Sequence, residues 1–264
     1  MNSSTNNYLV LQPLWDYILA EFGGSVNSPI FPVLLAFSGY LCFSLPFVII
    51  DMLGERCQFF YQYKIQKNKC PTISMMICCV WTAVFNHVIY VFPTVFLNWL
   101  WMQPVSLPVR APSICTLLEE VLGCLILFDL QYFIWHVLHH KNHWLYKKVH
   151  AVHHNYAAPF SLSSQNLSGI ELMTVGFWSI MNPIQLGCHP LTSWICNLLS
   201  VWMSVDDHIG YNFPWSLHNT FPFRLYGGAL AHDLHHQKPG TNFAPFFRHW
   251  DLIFGTACSI NENA

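Results

Sequence analysis

Three histidine clusters in this sequence each place two or three imidazoles on one side of a short segment. They are His136–His140, His150–His154 and His232–His236, and eight of their nine histidines fit one HxxxH box followed by two HxxHH boxes. On a helix, residues three and four positions apart share a face. Neutral imidazoles that converge in this way favour a metal site, and eight of them indicate two metal ions.

His208 is added to the predicted ligands because it follows two aspartates at the end of an apolar stretch. His139 lies one position off the shared face of its box, so we expect it to contact ligands and not a metal. The predicted metal ligands are His136, His140, His150, His153, His154, His208, His232, His235 and His236.

Asp129 lies two turns before His136 in an apolar helix, where an unpaired acid is costly. We expect it to hydrogen-bond a ligand histidine and fix its tautomer, with a polar helix–helix contact as the alternative. A similar supporting role is predicted for His139, Asp207, Asn212, His218 and Asp233, and for Asn212 a turn position or a weak metal ligand is also open. No catalytic residue is predicted beyond the metal centre.

The sequence also contains a weak internal repeat of the box pattern. HxxxH followed by HxxHH occurs at 136–154, and residues 208–212 followed by 232–236 repeat the pattern with Asn212 in place of the last histidine of HxxxH. Either common descent or coincidence explains such a repeat.

The spacing does not choose the metal, because imidazole suits iron, zinc and copper alike. A zinc hydrolase needs three ligands and a nearby carboxylate base, as in HExxH, and no HExxH occurs here. No P-loop, GxGxxG or nucleophile motif occurs either. These observations favour oxygen chemistry over hydrolysis, with electrons from a separate reductase.

The composition is that of a membrane protein, with 53% hydrophobic and only 9% charged residues. Soluble domains carry roughly 25% charged residues. The formal net charge of −2 gives no basic surface for nucleic acid, and the ten cysteines include no CxxC pair, which indicates reduced, buried thiols. The first 55 residues contain no Lys or Arg, so a signal peptide is not predicted.

Apolar runs at about 30–53, 72–101 and 114–135 are long enough to cross a hydrocarbon core of about 30 Å. A fourth stretch, 170–205, contains Pro183 and Pro190 and is predicted to form a helical hairpin. An alternative makes 72–101 a hairpin too. We therefore expect an all-α integral membrane protein whose transmembrane helices are capped by a cytosolic, histidine-rich helical domain that binds two metals.

The whole chain, 1–264, is predicted to be one domain. Its parts are an N-terminal segment (1–29), transmembrane helices (30–135), the first two boxes (136–168), the hairpin (170–206), and the third box with a cytosolic C-terminal part (207–264).

Ten of the eleven Lys and Arg residues lie in 54–70, in 141–148 or after residue 220, which the positive-inside rule places in the cytosol. The N-terminus is then lumenal, and its sequon at Asn2 is predicted to be glycosylated. The second sequon, at Asn166, lies too close to the boxes for glycosylation.

The three boxes, with residues 208–211 (HIGY) and 250–256 (WDLIFGT), resemble the fatty acid hydroxylase/sterol desaturase superfamily of membrane di-iron oxygenases. Further strings are similar to its sterol side-chain hydroxylases, at residues 11–16, 187–192, 210–216 and 242–245. Ala231 departs from the histidine expected before the third box, which puts one extra contact to the ligands in doubt.

The resemblance implies hydroxylation of cholesterol at C25 in the endoplasmic reticulum membrane. It also implies two iron ions per chain, O₂, and electrons from an NADPH-linked reductase. Another sterol or lipid oxidase or desaturase of the superfamily would share the site and differ in substrate placement. A membrane metal transporter would need polar residues along several crossing helices, whereas these histidines cluster at one membrane face.

Overall fold

Three helical segments of the computed structural model are long and apolar enough to cross a membrane: Ile30–Arg56, Ile73–Trp101 and Ile114–Lys141. At 1.5 Å per residue each extends about 40 Å, which exceeds a hydrocarbon core of about 30 Å. They correspond to the three apolar runs of the sequence. The all-α membrane fold predicted from the composition is confirmed.

The structure describes residues 10–101 and 106–258, so the sequon at Asn2 lies outside the described residues. These residues are helical and contain no β-strand. The helices are α1 (Gln12–Val26), α2 (Ile30–Leu53), α3 (Gln58–Tyr61), α4 (Ile73–Asn86), α5 (Phe92–Trp101), α6 (Ile114–Lys141), α7 (His143–Leu145), α8 (Gly169–Gln185), α9 (Pro190–Asp207), α10 (Leu217–Thr220), α11 (Gly228–Gln237) and α12 (His249–Phe254).

The second crossing segment is continuous, and the alternative of a hairpin over 72–101 is wrong. A π-helical turn, His87–Val91, joins α4 to α5 without reversing the chain. Pro93 explains the turn, since proline offers no N–H and its ring clashes with the carbonyl four residues back, at Ile89. A wider turn at that carbonyl relieves the clash.

The helices α8 and α9 occupy the stretch predicted to be a hairpin, and α9 runs parallel to α2. The ring of Phe31 near the start of α2 lies 5.0 Å from that of Trp194 near the start of α9. Further along, a Cβ on Gly39 would lie 3.0 Å from Leu198 Cδ2, so the Leu198 side chain packs directly against the backbone of α2 there. The hairpin thus returns the chain, at His208, to the end of the molecule where α6 carries the first box.

A buried ion pair ties the loops at that end together. Lys64 Nζ lies 2.6 Å from Asp51 Oδ1, and Tyr211 donates its hydroxyl hydrogen to the same carboxylate oxygen at 2.8 Å. Gly210, which precedes Tyr211, has a φ of +72°, and a Cβ there would lie 2.7 Å from the carbonyl oxygen of Pro159. This cluster fixes the segment that follows His208 against the end of α2.

Candidate metal centre

Nine histidines form two groups in which the potential ligand atoms lie within 4.8 Å of one another. Among the described residues neither group includes an acid or a cysteine. The five-histidine group consists of His136, His140, His150, His154 and His235, and the four-histidine group consists of His153, His208, His232 and His236. The structure thus brings together all nine histidines predicted to be ligands.

The second and third boxes each contribute to both groups. His150 and His154 belong to the five-histidine group, and His153 between them belongs to the other. In the third box the division is reversed, because His235 alone belongs to the five-histidine group. Residues four apart share a face while the residue between them points elsewhere. Each HxxHH box therefore lies between two adjacent sites.

Five of the nine imidazoles have their Nδ1 atom within hydrogen-bonding distance of an oxygen. The partners are Phe243 O for His136 (2.7 Å), Glu171 Oε1 for His150 (2.8 Å), Ser204 O for His208 (2.7 Å), Thr241 O for His235 (2.7 Å) and Tyr156 O for His236 (3.0 Å). Since these oxygens only accept, each Nδ1 carries the hydrogen. In a neutral imidazole the other nitrogen, Nε2, is then a bare lone pair.

These Nε2 atoms point at one another at distances that a hydrogen bond does not explain. His136 and His150 have both given their hydrogen to an oxygen, yet their Nε2 atoms are 2.9 Å apart. Facing lone pairs repel, so the arrangement calls for a cation between them. Nitrogen ligands about 2.1 Å from one ion and at right angles lie about 3.0 Å apart. The other Nε2 pairs of the two groups, at 3.0 to 3.2 Å, fit the same geometry.

Burial keeps the imidazoles of these groups neutral. It lowers the pKa of His208 and of His235 to about 4, and neighbouring imidazoles add to the effect at His208. The pKa values of His150, His153 and His232 fall well below the ordinary value for the same reasons. A neutral imidazole is the form that binds a metal ion, so the nine are ready to act as ligands at neutral pH.

Glu171 is the carboxylate that supports a histidine of the centre, and it is not among the residues predicted from the sequence. The residue is fully buried, its Oε1 accepts from His150 Nδ1, and the hydroxyl of Tyr132 lies 3.4 Å from the same oxygen. The signal was present, because Glu171 is the only charged residue in the apolar stretch 170–205. Such an acid is costly unless it has a partner.

Asp129 does not have the role predicted for it, since it bonds no ligand histidine. Its Oδ1 accepts from the backbone N–H groups of Phe246 and Phe247, at 2.9 and 3.2 Å. The alternative, a polar helix–helix contact, is not what these hydrogen bonds show either, because Phe246 and Phe247 lie in a loop. The carboxylate faces the loop before α12, which sequence distance alone could not reveal. The same loop supplies the carbonyl of Phe243, so Asp129 supports His136 only indirectly.

Asp233 and Asp207 also form no hydrogen bond with the nine histidines. Asp233 accepts from the side chains of Gln66 and Gln237, because it lies on the side of α11 that faces the loop after α3. Asp207 is buried in the cavity wall beside His208, and its Oδ1 has no hydrogen-bond partner. The predicted supporting contacts of these two residues are therefore wrong.

Asn212 and His218 pair with each other. Nε2 of His218 lies 2.9 Å from Oδ1 of Asn212, and the amide of Asn219 donates to that oxygen as well. Neither residue forms a hydrogen bond with the nine histidines, so the supporting role predicted for both is wrong, and Asn212 lies in a loop. His139 is outside the groups; it stacks on Trp135 at 3.6 Å, and Trp135 packs edge-on against His150.

A cavity of about 140 Å³ runs from the four-histidine group into the helical bundle. Its wall includes His153, His208 and His232 at one end, and residues of α2, α6, α8 and α9 along its length. No member of the five-histidine group lines it. An ion held by the four-histidine group would therefore adjoin the cavity, and a molecule bound there would lie beside it.

The sequence profile of the fatty acid hydroxylase family matches residues 121–256, which include all nine histidines. The chain belongs to the fatty acid hydroxylase family. This hydroxylase is 51% identical over 247 residues to cholesterol 25-hydroxylase-like protein 1, member 2, of Danio rerio, an alignment that covers 94% of this chain and 90% of the relative. It is 44% identical over 252 residues to cholesterol 25-hydroxylase of Homo sapiens, covering 96% and 92% of the two chains.

The rat cholesterol 25-hydroxylase is 43% identical over 251 residues, covering 95% of this chain and 84% of the relative. No solved structure matches the chain. The family membership identifies the protein as a hydroxylating oxidoreductase.

Proposed function

We propose that this hydroxylase adds a hydroxyl group to C25 of cholesterol, using two bound iron ions, O₂ and electrons from an NADPH-linked reductase. The observation that carries the proposal is the apolar cavity that ends at the four-histidine group. Relatives that cover nearly the whole chain are named for this reaction.

The nine histidines would hold the two iron ions. Their neutral nitrogen ligands suit iron, and the groups offer no carboxylate base of the kind a zinc hydrolase uses. When bound, iron supplies the activation of O₂ that side chains cannot perform. One oxygen atom enters the C–H bond at C25, the other leaves as water, and the reductase supplies two electrons.

The protein itself would hold the ligands in position, exclude water from the site and orient the substrate. Phe243, Glu171 and Thr241 fix the tautomers of three ligands, so little rearrangement is needed when iron binds. The cavity wall is mostly apolar and excludes water from the reacting atoms. C25 bears a tertiary C–H bond, which is among the weaker aliphatic C–H bonds.

The location we propose is the endoplasmic reticulum membrane, with the histidines on the cytosolic side. Three candidate crossing segments would put α1 and the histidine groups on opposite sides of the membrane, and most of the Lys and Arg residues lie near the histidine end. A membrane-bound reductase would then deliver electrons from the cytosol.

The test uses full-length protein purified in detergent, loaded with iron and given cholesterol, O₂, NADPH and a reductase. We expect 25-hydroxycholesterol by mass spectrometry and two iron ions per chain by elemental analysis. His235→Ala and His153→Ala, one from each group, should each reduce turnover at least a hundredfold. His143→Ala is the matched control, because His143 is exposed and outside both groups.

Four outcomes would contradict the proposal. A sterol oxidised only at the ring, or a new double bond, would move the protein to another reaction of the superfamily. One metal ion per chain, or zinc as the metal that supports turnover, would contradict the di-iron assignment.

A further inference from the structure

Asn197 is a polar residue of the cavity for which the proposed chemistry has no use. It lies on α9 and lines the cavity, and its Oδ1 atom is enclosed without a hydrogen-bond partner. Buried polar groups are nearly always paired, so an unpaired amide oxygen requires an explanation. The oxygen itself has almost no accessible surface, so rotation of the amide is what brings it to an O–H or N–H group of a ligand in the cavity.

The position of Asn197 along α9 defines its distance from the histidines. Asn197, Ser200 and Ser204 follow one another at helical spacing along the cavity wall, and His208 comes one turn later. The ten residues from Asn197 to Asp207 correspond to about 15 Å of helix. Asn197 thus lies well away from the histidine end of the cavity.

Other polar residues of the wall are already bonded or lie nearer the histidines. Ser179 donates to the carbonyl of Val175 at 3.1 Å. His87 has its Nδ1 atom 2.8 Å from the carbonyl of Ala83, and its ring packs edge-on against that of Phe37 on α2 at 5.2 Å.

Cholesterol has one hydroxyl group, at the opposite end from C25. Single bonds of about 1.5 Å advance about 1.25 Å each in a zigzag, so the roughly thirteen bonds from C3 to C25 span about 16 Å. That length matches the separation along α9. A sterol with C25 at the four-histidine group would therefore bring its 3-hydroxyl to Asn197.

We propose that Asn197 accepts a hydrogen bond from the sterol 3-hydroxyl and so sets which carbon reaches the metal centre. This rests on the proposed function, because it takes C25 of a sterol as the reacting atom. The amide is a positioning residue that acts on substrate choice and not on the oxidation itself. A molecule of the same shape without the hydroxyl would leave the amide unpaired and bind more weakly.

The experiment compares cholesterol with its 3-deoxy analogue, cholest-5-ene, in binding to the purified iron-loaded protein under anaerobic conditions, where no turnover occurs. We expect wild type to bind cholesterol about tenfold more tightly, the effect of one neutral hydrogen bond. Asn197→Leu and Asn197→Ala should remove this preference by weakening cholesterol and leaving the analogue unchanged.

Asn182→Leu is the matched control. Asn182 is buried in α8, donates to Gln131 at 2.8 Å and lies outside the main cavity. This variant should keep the tenfold preference even if it is less stable. Loss of the preference there too would assign the effect to general packing and overturn the proposal.

If the wild-type protein binds cholesterol and cholest-5-ene equally well, the proposal is overturned without any variant. It is also overturned if Asn197→Leu still binds cholesterol more tightly than the analogue. If wild type hydroxylates cholesterol but shows either result, the inference about Asn197 alone is wrong. If wild type neither binds nor oxidises any sterol, the proposed function is wrong as well.

Discussion

At the scale of the residue, His150 differs from the other histidines of the two groups in the partner of its Nδ1 atom. The other four histidines whose Nδ1 atoms are bonded face backbone carbonyls, whereas His150 faces the carboxylate of Glu171 at 2.8 Å. A carboxylate partner makes the opposite nitrogen a stronger electron donor to a metal and fixes the ring orientation. His150 is therefore the ligand whose affinity depends most on a single side chain.

Glu171→Gln keeps the shape of the side chain and an acceptor oxygen but removes the negative charge. We expect iron affinity or turnover to fall by about 10- to 100-fold, as is typical when such a partner is lost. Iron per chain and steady-state turnover, measured after the same purification, provide the check. Glu119→Gln is the control, because Glu119 is exposed on α6; equal iron content in the two variants would contradict the role of Glu171.

At the scale of the element, the loop between α11 and α12 links the metal centre to the C-terminal helix. Asp251 accepts hydrogen bonds from the backbone N–H groups of Phe243 and Ala244 and from the hydroxyl of Thr256. Asp129 of α6 holds the same loop from the other side. The carbonyl of Phe243 then orients His136, so the WDLIFGT string supports a ligand without touching it.

Asp251→Ala leaves two backbone donors without their acceptor. Each unpaired buried donor costs about 1–3 kcal/mol, so we expect a lower midpoint of thermal unfolding and less iron bound per chain. Fluorescence-detected size-exclusion chromatography after heating measures the first, and elemental analysis the second. Glu21→Ala, at an exposed position of α1, should match wild type in both, and an unchanged midpoint for Asp251→Ala would refute this account of the loop.

At the scale of the whole molecule, three helical segments long and apolar enough to cross a membrane precede the second and third histidine boxes, and the third of these segments carries the first box. Asn166 provides an internal reference, since it is buried and its amide donates to the carbonyl of Val152 at 2.7 Å. Because the Asn166 side chain is buried and bonded, an oligosaccharide cannot be attached to it in the folded protein, as expected from the sequence.

We expect an N-linked glycan at Asn2 and none at Asn166 when the chain is made in mammalian cells. Asn2→Gln should abolish the mobility shift produced by an endoglycosidase, and Asn166→Gln should leave it in place. A sequon appended after Ala264 should stay unmodified, because that end is cytosolic in the proposed topology. Modification of the appended sequon, with none at Asn2, would invert the orientation.

The sequence alone determined the membrane fold and which histidines come together. Apolar runs of crossing length and helical spacing of like residues are local properties, and both follow from the covalent chain and the energy of burial. They led to the three crossing helices and to the nine histidines of the two groups. The ligand spacing HxxHH was informative for the same reason.

The tertiary structure alone decided how the histidines divide and what supports them. His235 joins the first two boxes while His153 joins the third, and Glu171 takes the place predicted for Asp129. These contacts join residues that are distant in sequence, so they depend on the register between packed helices, which no local pattern records. The same register places Asn197 on the cavity wall, about three helical turns before His208.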